Sequence, residues 1–218
     1  MRFGWRSTLT TPSLNVSWRA AEFCVIDVET TGLDLRRDEI VSYGAAIVKN
    51  ARIHCGTVAY SHVRPDREIS VASLTTHGLR ASDLAGAPTI DDVLDDLIGL
   101  LSGRVVVAHA AWIERGFLRR ALARRDLGLG RPIVDTAALT RACGLADANS
   151  GREPDVETVA RGLRLPVHTP HHALGDAFTT AEIFLVLATR LERERNVVGR
   201  SQLSVRRLCA LSRRHSSV

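Results

Sequence analysis

The chain has 218 residues, 45% of them hydrophobic, with a formal net charge of +5 and an isoelectric point near 9.5. This length suits one domain with short terminal extensions, no segment is apolar enough to span a bilayer, and residues 1–20 lack the apolar core of a signal peptide. We therefore expect a cytoplasmic protein with four reduced cysteines, and the basic charge is compatible with a polyanionic partner.

Residues 1–20 show no clear periodicity and predict an N-terminal extension that packs loosely, with Trp5 and Trp18 as its anchors. The chain then alternates apolar runs with turn residues, which predicts an antiparallel meander. The predicted strands of this meander lie at about 22–28, 39–48 and 52–62.

Two helices are predicted after the meander, each with a boundary signal. A short helix spans 70–77, and Gly78 follows it at the position where glycine adopts the left-handed conformation. Thr89 is a suitable N-cap for the next helix at 90–101.

The second half of the chain alternates predicted strands with predicted helices. The strands lie at 104–108 and 132–135, and the helices at about 111–125, 136–143, 155–162 and 172–194. Thr136 and Asp155 are the expected N-caps of their helices. This order predicts an α/β fold with a mixed sheet covered by helices on its faces. We assign 21–194 to the domain and 195–218, where arginine pairs alternate with leucine and valine, to a basic amphipathic tail.

Two carboxylates stand at the end of the first predicted strand, in the sequence FCVIDVETTGL at 23–33. Asp27 and Glu29 point to the same side because side chains alternate along a strand. Adjacent carboxylates repel each other and are costly to desolvate, and a divalent cation compensates for both effects. The pair therefore indicates either a metal site or a solvated strand end.

Two later segments contain acids that are candidate partners for this pair. Glu114 lies in the first turns of a helix after a buried strand, where open α/β sheets place ligands, although an acid there also complements the helix dipole. Asp176 lies near the start of the long apolar helix, at a depth that requires a partner. His171, in the proline-stiffened loop before this helix, is either a proton-transfer residue or a surface residue.

Taken together, three motifs resemble the DEDD superfamily of 3′–5′ exonucleases. They are DVETTGL at 27–33, HAAWIERGFL at 109–118 and HHALGDA at 171–177. Their spacing is similar to that of the histidine-containing branch, which includes the proofreading epsilon subunit of bacterial DNA polymerase III, and the resemblance covers about 22–190. It implies a ribonuclease-H-like fold, with a mixed five-stranded sheet of a meander plus parallel strands.

The resemblance also implies the chemistry of the site. Asp27, Glu29, Glu114 and Asp176 match the four acids that hold two divalent metal ions, Mg²⁺ or Mn²⁺, and His171 matches the general base. The implied reaction is 3′–5′ hydrolysis of the terminal phosphodiester at a single-stranded 3′ end, with DNA favoured over RNA and nucleoside 5′-monophosphates as products. The implied partners are nucleic acid and a DNA polymerase, and no membrane is expected.

Further residues fall where the family contacts the terminal nucleotide. These predicted substrate-binding residues are Thr30, Thr31, Gly32, Leu33, His77 and His109. Leu33 is the side chain expected to wedge against the base, and His77 opens a His-Gly-Leu segment that resembles one near that nucleotide. Asp135 and Thr136 resemble a recurrent Asp-Thr pair beside the site, which we expect to support the metal ligands without being one of them.

The second motif departs from the family pattern, which is HNAxFD. Ala110 replaces the asparagine, Ile113 replaces the phenylalanine, and the third acid is Glu114, whose extra methylene adds roughly 1.5 Å of reach. We expect activity to survive, with Mn²⁺ preferred. The alternative function is a catalytically silent nucleic-acid-binding or polymerase-associated module. For 195–218, the alternatives are docking on a polymerase, contact with the nucleic-acid backbone and a solvated helix.

Overall fold

The structure, a computed structural model, describes residues 7–10, 12–130, 133–146, 152–197 and 202–215. Its strands are β1 Ser7–Thr8, β2 Glu22–Thr30, β3 Ile40–Lys49, β4 Arg52–Ile53, β5 Ala59–His62, β6 Val105–Ala108, β7 Leu127–Gly128 and β8 Val134–Asp135. Its α-helices are α1 Val71–His77, α2 Ala81–Leu84, α3 Ile90–Leu101, α4 Trp112–Ala123, α5 Thr136–Ala142, α6 Val156–Gly162, α7 Ala173–Val197 and α8 Val205–His215. Within these described ranges, no helix combines the length and apolar composition needed to cross a membrane.

The central sheet has the strand order β4-β3-β2-β6-β8, and β5 pairs with β3 along the same edge as β4. β3 is antiparallel to β2, β4 and β5, whereas β6 is parallel to both β2 and β8. Six strands therefore occupy five positions, which confirms the predicted mixed sheet. The single strand predicted at 52–62 is wrong in one respect, because the 3₁₀ turn Cys55–Thr57 divides it into β4 and β5.

Helices cover both faces of the sheet. The helices α5, α6, α7 and α8 pack on one face, and α3 and α4 pack on the other. Along β2, Phe23 and Val25 point towards the α7 face, whereas Cys24 and Ile26 point towards the α3–α4 face. This alternation directs the next odd-numbered side chains, Asp27 among them, towards α7.

Most helix boundaries follow the predicted local signals. Gly78 ends α1 with φ 74°, and the Thr89 side chain caps α3 by accepting from the backbone nitrogen of Asp92. The predicted N-cap of α5 is wrong by one residue. The N-cap is Asp135, whose Oδ1 atom accepts hydrogen bonds from the backbone nitrogens of Ala137 and Ala138 at 2.9 and 3.4 Å. Thr136 is the first residue of the helix, and its hydroxyl group donates to the carbonyl oxygen of Ala108 instead.

The described part of the N-terminal extension is held to the domain by two buried side chains, Leu9 and Trp18, which confirms Trp18 as a predicted anchor. Trp18 is fully buried, and its indole nitrogen donates a 3.1 Å hydrogen bond to Glu192 on α7. The same carboxylate group pairs with Arg19 at 2.7 Å. A large buried aromatic side chain whose polar atom has a hydrogen-bond partner stabilises strongly, so Trp18 anchors this segment to the domain. Trp5 lies outside the described residues.

The C-terminal tail contains α8, which packs on α5 and β8. Leu203, Val205 and Leu208 are fully buried, and the carbonyl oxygen of Leu203 accepts a 3.0 Å hydrogen bond from the nitrogen of Trp18. The solvated helix considered for this tail is therefore wrong for residues 202–215, whose apolar side chains belong to the core.

Candidate metal centre and active site

Three carboxylates from two distant parts of the chain meet at the end of β2. Asp27 and Glu29 lie two residues apart on this strand, and Asp176 lies in the first turn of α7. One carboxylate oxygen from each residue lies within 4.8 Å of the other two. The predicted common orientation of Asp27 and Glu29 is confirmed, and it brings both towards the helix that carries Asp176.

Two glycines that the sequence analysis did not single out allow α7 to approach the strands this closely. A Cβ atom at Gly44, which pairs with Asp27 across β2 and β3, would lie 2.2 Å from the backbone nitrogen of Leu174. A Cβ atom at Gly175 would lie 2.4 Å from the carbonyl oxygen of His168. A glycine inside an apolar strand is the sequence signal for such a close approach. These glycines therefore set the depth at which the third carboxylate reaches the site.

Glu114 brings a fourth carboxylate to this region from the first turn of α4. The residue is 2% exposed, and its Oε2 atom has no hydrogen-bond partner among the described residues. Among the charged neighbours that disfavour ionisation of Asp27, Glu114 has the largest effect. The interpretation of Glu114 as a surface acid that only complements the dipole of α4 is therefore excluded, because its side chain is buried next to another acid.

Burial raises the pKa of all four carboxyl groups, and neighbouring acids raise it further. The pKa values of Asp27 and Glu114 lie well above their usual ranges. Burial also raises the pKa of Glu29 to about 7 and that of Asp176 to about 6. In the part of the chain that the structure describes, no arginine or lysine forms an ion pair with any of the four. Among these described residues, the cluster therefore lacks a compensating positive charge.

The residues present fit a divalent cation. All four side chains offer the hard oxygen ligands that Mg²⁺ and Mn²⁺ prefer. Two buried oxygens, Glu114 Oε2 and Asp176 Oδ1, have no hydrogen-bond partner within the described ranges. A buried carboxylate oxygen without a partner is costly, and a cation supplies that partner.

The three histidines before and at the start of α7 have different surroundings. His168 Nε2 lies 3.2 Å from a glutamate oxygen of α7, and the His172 ring stacks on Tyr60 with 4.4 Å between centroids. The side chain of His171 is instead exposed, and its backbone nitrogen donates a 2.9 Å hydrogen bond to Asp176 Oδ2. Of the three, His171 has the most exposed ring, and the bond from its backbone to Asp176 places it beside the carboxylates.

Glu157, on α6, is a neighbour of His171 that sequence reasoning missed. Its Oε1 atom lies 4.0 Å from His171 Nε2, and His171 has a left-handed backbone with φ 57°. No sequence signal identifies Glu157, because an acid in the first turn of a short helix is common. The pair nevertheless places a carboxylate beside the predicted general base.

The hydroxyl groups of Thr30 and Thr31, both predicted to bind substrate, form hydrogen bonds within the turn that follows β2. Thr30 Oγ1 donates to the Gly32 carbonyl oxygen at 2.7 Å, and Thr31 Oγ1 donates to Asp38 Oδ1 at 3.0 Å. A Cβ atom at Gly32 would lie 2.3 Å from Asp38 Oδ2, so the Asp38 carboxylate would have to move to accept a larger residue there. Leu33 is 61% exposed and is available to a ligand. Substrate binding by this turn stays a prediction.

Both predicted substrate-binding histidines direct their ring nitrogens to protein groups. His77 Nε2 lies 3.2 Å from the Thr30 carbonyl oxygen, and Nδ1 accepts from a backbone nitrogen of its own segment at 3.1 Å. His109 Nδ1 lies 2.9 Å from Thr136 Oγ1, and Nε2 lies 2.6 Å from the Pro154 carbonyl oxygen. Burial lowers the pKa of both rings. These bonds fix the turns around the carboxylates, and substrate contact by either ring stays a prediction.

Comparison with known protein families shows to which family this chain belongs. The sequence profile of the RNase T exonuclease family matches residues 24–184, a range that includes the four acids and His171. The chain belongs to the RNase T exonuclease family. The resemblance to DEDD-type exonucleases is thereby confirmed, whereas membership of the histidine-containing branch stays a prediction that rests on His171.

Curated relatives of this RNase T domain are much longer proteins. A DNA polymerase III PolC-type protein of Thermotoga petrophila is 32% identical over 194 residues, which cover 88% of this chain and 13% of that protein. A DNA polymerase III subunit epsilon-like protein of Rhodobacter capsulatus is 36% identical over 171 residues, which cover 78% of this chain and 24% of that protein. The chain therefore spans less than a quarter of the length of either relative.

Solved structures show the same RNase T-type fold. Exonuclease X in complex with 5′ overhanging duplex DNA has a TM-score of 0.63 at 23% identity, covering 87% of this chain and 99% of that one. E. coli exonuclease I in complex with a dT13 oligonucleotide has a TM-score of 0.69 at 13% identity, covering 82% and 43%. At these identities the likeness concerns the fold, and it confirms the predicted ribonuclease-H-like sheet flanked by helices.

The altered second motif of this RNase T domain has a conformational explanation. Ala110 has φ 50°, a left-handed conformation that asparagine and glycine adopt more easily than alanine. The asparagine of the family motif therefore suits this backbone position. Its replacement by alanine leaves the helix that carries Glu114 in place, at the cost of local strain.

Proposed function

We propose that this RNase T domain is a metal-dependent 3′–5′ exonuclease that hydrolyses the terminal phosphodiester bond of nucleic acid and releases nucleoside 5′-monophosphates. The observation that carries the proposal is the convergence of the Asp27, Glu29 and Asp176 carboxylates within 4.8 Å of one another at the end of a buried strand. A cluster of this kind is unfavourable for folding unless a ligand compensates for it, so its presence indicates a function.

The proposed metal ligands are Asp27, Glu29, Glu114 and Asp176, which would hold two divalent cations. When bound, such cations acidify the attacking water and stabilise charge on the departing 3′ oxygen. The two carboxylate oxygens of Asp176 have different roles. Oδ2 accepts a hydrogen bond from the backbone nitrogen of His171, and Oδ1, which has no hydrogen-bond partner among the described residues, would bind the cation. Mg²⁺ demands near-octahedral geometry, so we expect the longer Glu114 side chain to favour Mn²⁺.

His171 is the proposed general base, and its exposed imidazole would take the proton of the attacking water. The nearby Glu157 carboxylate, 4.0 Å from Nε2, favours the imidazolium that forms in this step. The strained loop backbone and the bond to Asp176 hold this imidazole beside the carboxylates.

The proposed substrate is the single-stranded 3′ end of DNA, with RNA less favoured. This choice is supported by the names of the relatives, which are DNA polymerase III proteins, and by solved structures of similar fold that contain DNA. The exposed Leu33 side chain would contact the terminal base. A polymerase partner, a cytoplasmic location and the domain limits 1–20, 21–194 and 195–218 stay predictions from the sequence.

The test uses 5′-labelled single-stranded DNA and RNA of equal length with Mn²⁺ or Mg²⁺. We expect progressively shorter labelled products together with mononucleotides, and faster hydrolysis of DNA. Asp27→Asn and Asp176→Asn are each expected to lower the rate by at least roughly 100-fold, the scale on which loss of an electrostatic catalytic group acts. His171→Ala is expected to lower it by roughly 10²–10⁴-fold.

Matched controls are available on the surface. Asp95, whose side chain is 82% exposed, and the exposed His54 are the sites for Asp95→Asn and His54→Ala, which should retain the wild-type rate. Degradation of neither DNA nor RNA by the purified protein, with either metal, would contradict the proposal.

The departure at the second motif favours one other candidate, a catalytically silent nucleic-acid-binding or polymerase-associated module. Calorimetric titration with Mn²⁺ separates the two functions. The exonuclease is expected to bind divalent cations and to lose this binding in Asp27→Asn, whereas a silent module would bind none.

A further inference from the structure

A groove of about 590 Å³ lies on the α3–α4 face, away from the carboxylates. Its buried floor is apolar and includes Val63, Phe117 and Ala121. Its walls come from the loop after β2, the segment after β5, the start of α3 and the body of α4. The charged side chains that line it are six arginines and three acids, namely Arg36, Arg37, Arg64, Arg67, Arg120, Arg124, Glu39, Asp66 and Asp91. The charge of this lining is therefore +3, from six positive and three negative groups.

Two of the six arginines are occupied by protein groups. Arg120 donates to the carbonyl oxygens of Leu35 and Asp38, and Arg124 forms an ion pair with Asp91. These bonds neutralise one acid of the lining and leave the basic character of the groove to the remaining arginines.

The other four arginines are Arg36, Arg37, Arg64 and Arg67, which are all exposed. Among the residues that the structure describes, none of the four forms an ion pair, and one lining acid, Glu39, already accepts the backbone nitrogen of Asp66 at 2.7 Å. Arginine presents a planar fork of donors that matches phosphate oxygens. The four guanidinium groups are therefore available to a polyanion.

The groove and the carboxylates lie at the same end of the sheet. β3 begins beside the end of β2, and β5 ends beside the start of β3, because both pairs are antiparallel. The loop 31–38 separates the two sites, and the bond between Thr31 and Asp38 holds it in place. Arg36 and Arg37 stand on this loop, three and four residues after the exposed Leu33.

We propose that the four unpaired arginines of this groove bind the backbone phosphates of the nucleic-acid strand whose 3′ end occupies the carboxylate site. This proposal rests on the proposed exonuclease function and extends it to the part of the strand that is not cleaved. We favour a nucleic acid over an acidic peptide as the ligand of this groove. A strand whose 3′ end lies at the carboxylates reaches the groove by crossing a single loop, and it then presents evenly spaced phosphates to these arginines. Strands long enough to cross the loop would bind more tightly than short ones.

The test compares the variant R36Q/R37Q/R64Q/R67Q with the control R52Q/R164Q/R193Q/R213Q. The control removes the same charge at exposed positions outside the groove. Binding of 5′-fluorescein-labelled dT strands of roughly 2 to 20 nucleotides is measured by anisotropy in EDTA, at several salt concentrations. The series runs from strands too short to cross the loop to strands that cross it. Hydrolysis of an unlabelled dinucleotide with Mn²⁺ is measured on the same proteins.

For the groove variant we expect about a 10- to 100-fold weaker affinity for the long strands and a slope of log K against log salt reduced by roughly 2 to 3, since each phosphate contact on a single strand contributes about 0.7. Dinucleotide hydrolysis is expected to match wild type within about twofold, because the carboxylates are untouched. The control variant is expected to bind with the wild-type slope. Equal losses in the two variants, or an affinity that does not rise with strand length in the wild type, would overturn the proposal. Failure of the wild type to degrade either the DNA or the RNA strands with Mn²⁺ or Mg²⁺ refutes the exonuclease function separately, because binding is read without turnover.

Discussion

Gly44 and Leu174 bring β3 and α7 into direct backbone contact. A Cβ atom on Gly44 would lie 2.2 Å from the backbone nitrogen of Leu174. Gly44 pairs with Asp27 across the two strands, and Leu174 precedes Asp176 by two residues. The contact therefore fixes the distance between the carboxylates of the strand and the carboxylate of the helix.

Gly44→Ala is expected to abolish hydrolysis and to lower the free energy of unfolding by roughly 2 kcal/mol or more, because the added methyl group meets backbone that has no room to move. The matched control is Gly99→Ala in α3, where an added Cβ meets no atom within 4 Å and alanine is expected to stabilise by about 0.5–1 kcal/mol. Urea unfolding and Mn²⁺ titration of both variants provide the measurement. Wild-type metal affinity in Gly44→Ala would show that the contact does not position the site.

Glu114→Gln is expected to separate metal binding from stability. Without metal, burial raises the pKa of Glu114 and favours the neutral form of its carboxyl group, and glutamine resembles that neutral form in size. The free energy of unfolding in EDTA should therefore change by less than about 1 kcal/mol. Hydrolysis should fall by roughly 100-fold, since the variant cannot supply a charged ligand. A variant that hydrolyses DNA at the wild-type rate would remove Glu114 from the proposed metal ligands.

Metal-free protein is expected to lose stability as the pH rises from about 5 to 8. In the folded protein the pKa of Glu29 is about 7 and that of Asp176 about 6, above the ordinary values of 4.5 and 3.8. The folded state therefore holds these protons more tightly than the unfolded chain, and its advantage, complete below pH 4, disappears as the pH passes through the folded values.

The expected loss from these two groups is roughly 4 kcal/mol, measured by urea unfolding in EDTA at several pH values. Saturating Mn²⁺ should reverse it, because the cation binds the ionised carboxylates. The double variant Asp27→Asn/Asp176→Asn should show a flatter pH profile. A stability in EDTA that rises over this pH range would contradict the proposed origin of the shifts.

Ala110→Asn and Ala110→Gly are each expected to stabilise the protein. Ala110 adopts φ 50°, and the left-handed region costs alanine roughly 1 kcal/mol more than it costs glycine. For a domain of this size, a gain of about 1 kcal/mol raises the melting temperature by about 2–4 °C. Ala72→Gly, on the exposed face of α1, is the opposite control, because glycine there should lower the melting temperature. Unchanged melting of both Ala110 variants would show that the position carries no strain.

Local signals predicted most of the fold. The alternation along β2, the N-cap Thr89 and the end of α1 at Gly78 are properties of short segments, so sequence alone is sufficient for them. Trp18 was predicted as an anchor, but its partner Glu192 and the contact at Gly44 depend on α7, which is more than a hundred residues away. No local pattern contains that information.

The site shows the same division. Asp27, Glu29 and Asp176 were candidates because a carboxylate in an apolar strand or helix is unusual in itself, whereas Glu114 was assigned to the site through the family resemblance. The partners of Thr31, His77 and His109 were not predicted, since a polar side chain can bond to the protein or to a substrate with the same atoms. The proximity of Glu157 to His171 required the packing of α6 against α7.

The C-terminal helix α8 also protects the sheet from pairing with other chains. β8 is the outermost strand on its side, and its Asp135 backbone nitrogen, directed away from β6, donates a 3.0 Å hydrogen bond to Ser212 Oγ on α8. An uncovered outer strand offers its free amides to any extended segment and promotes domain swapping and aggregation. A protein shortened after residue 197 would therefore be expected to associate with itself through β8, even with every carboxylate of the metal centre in place.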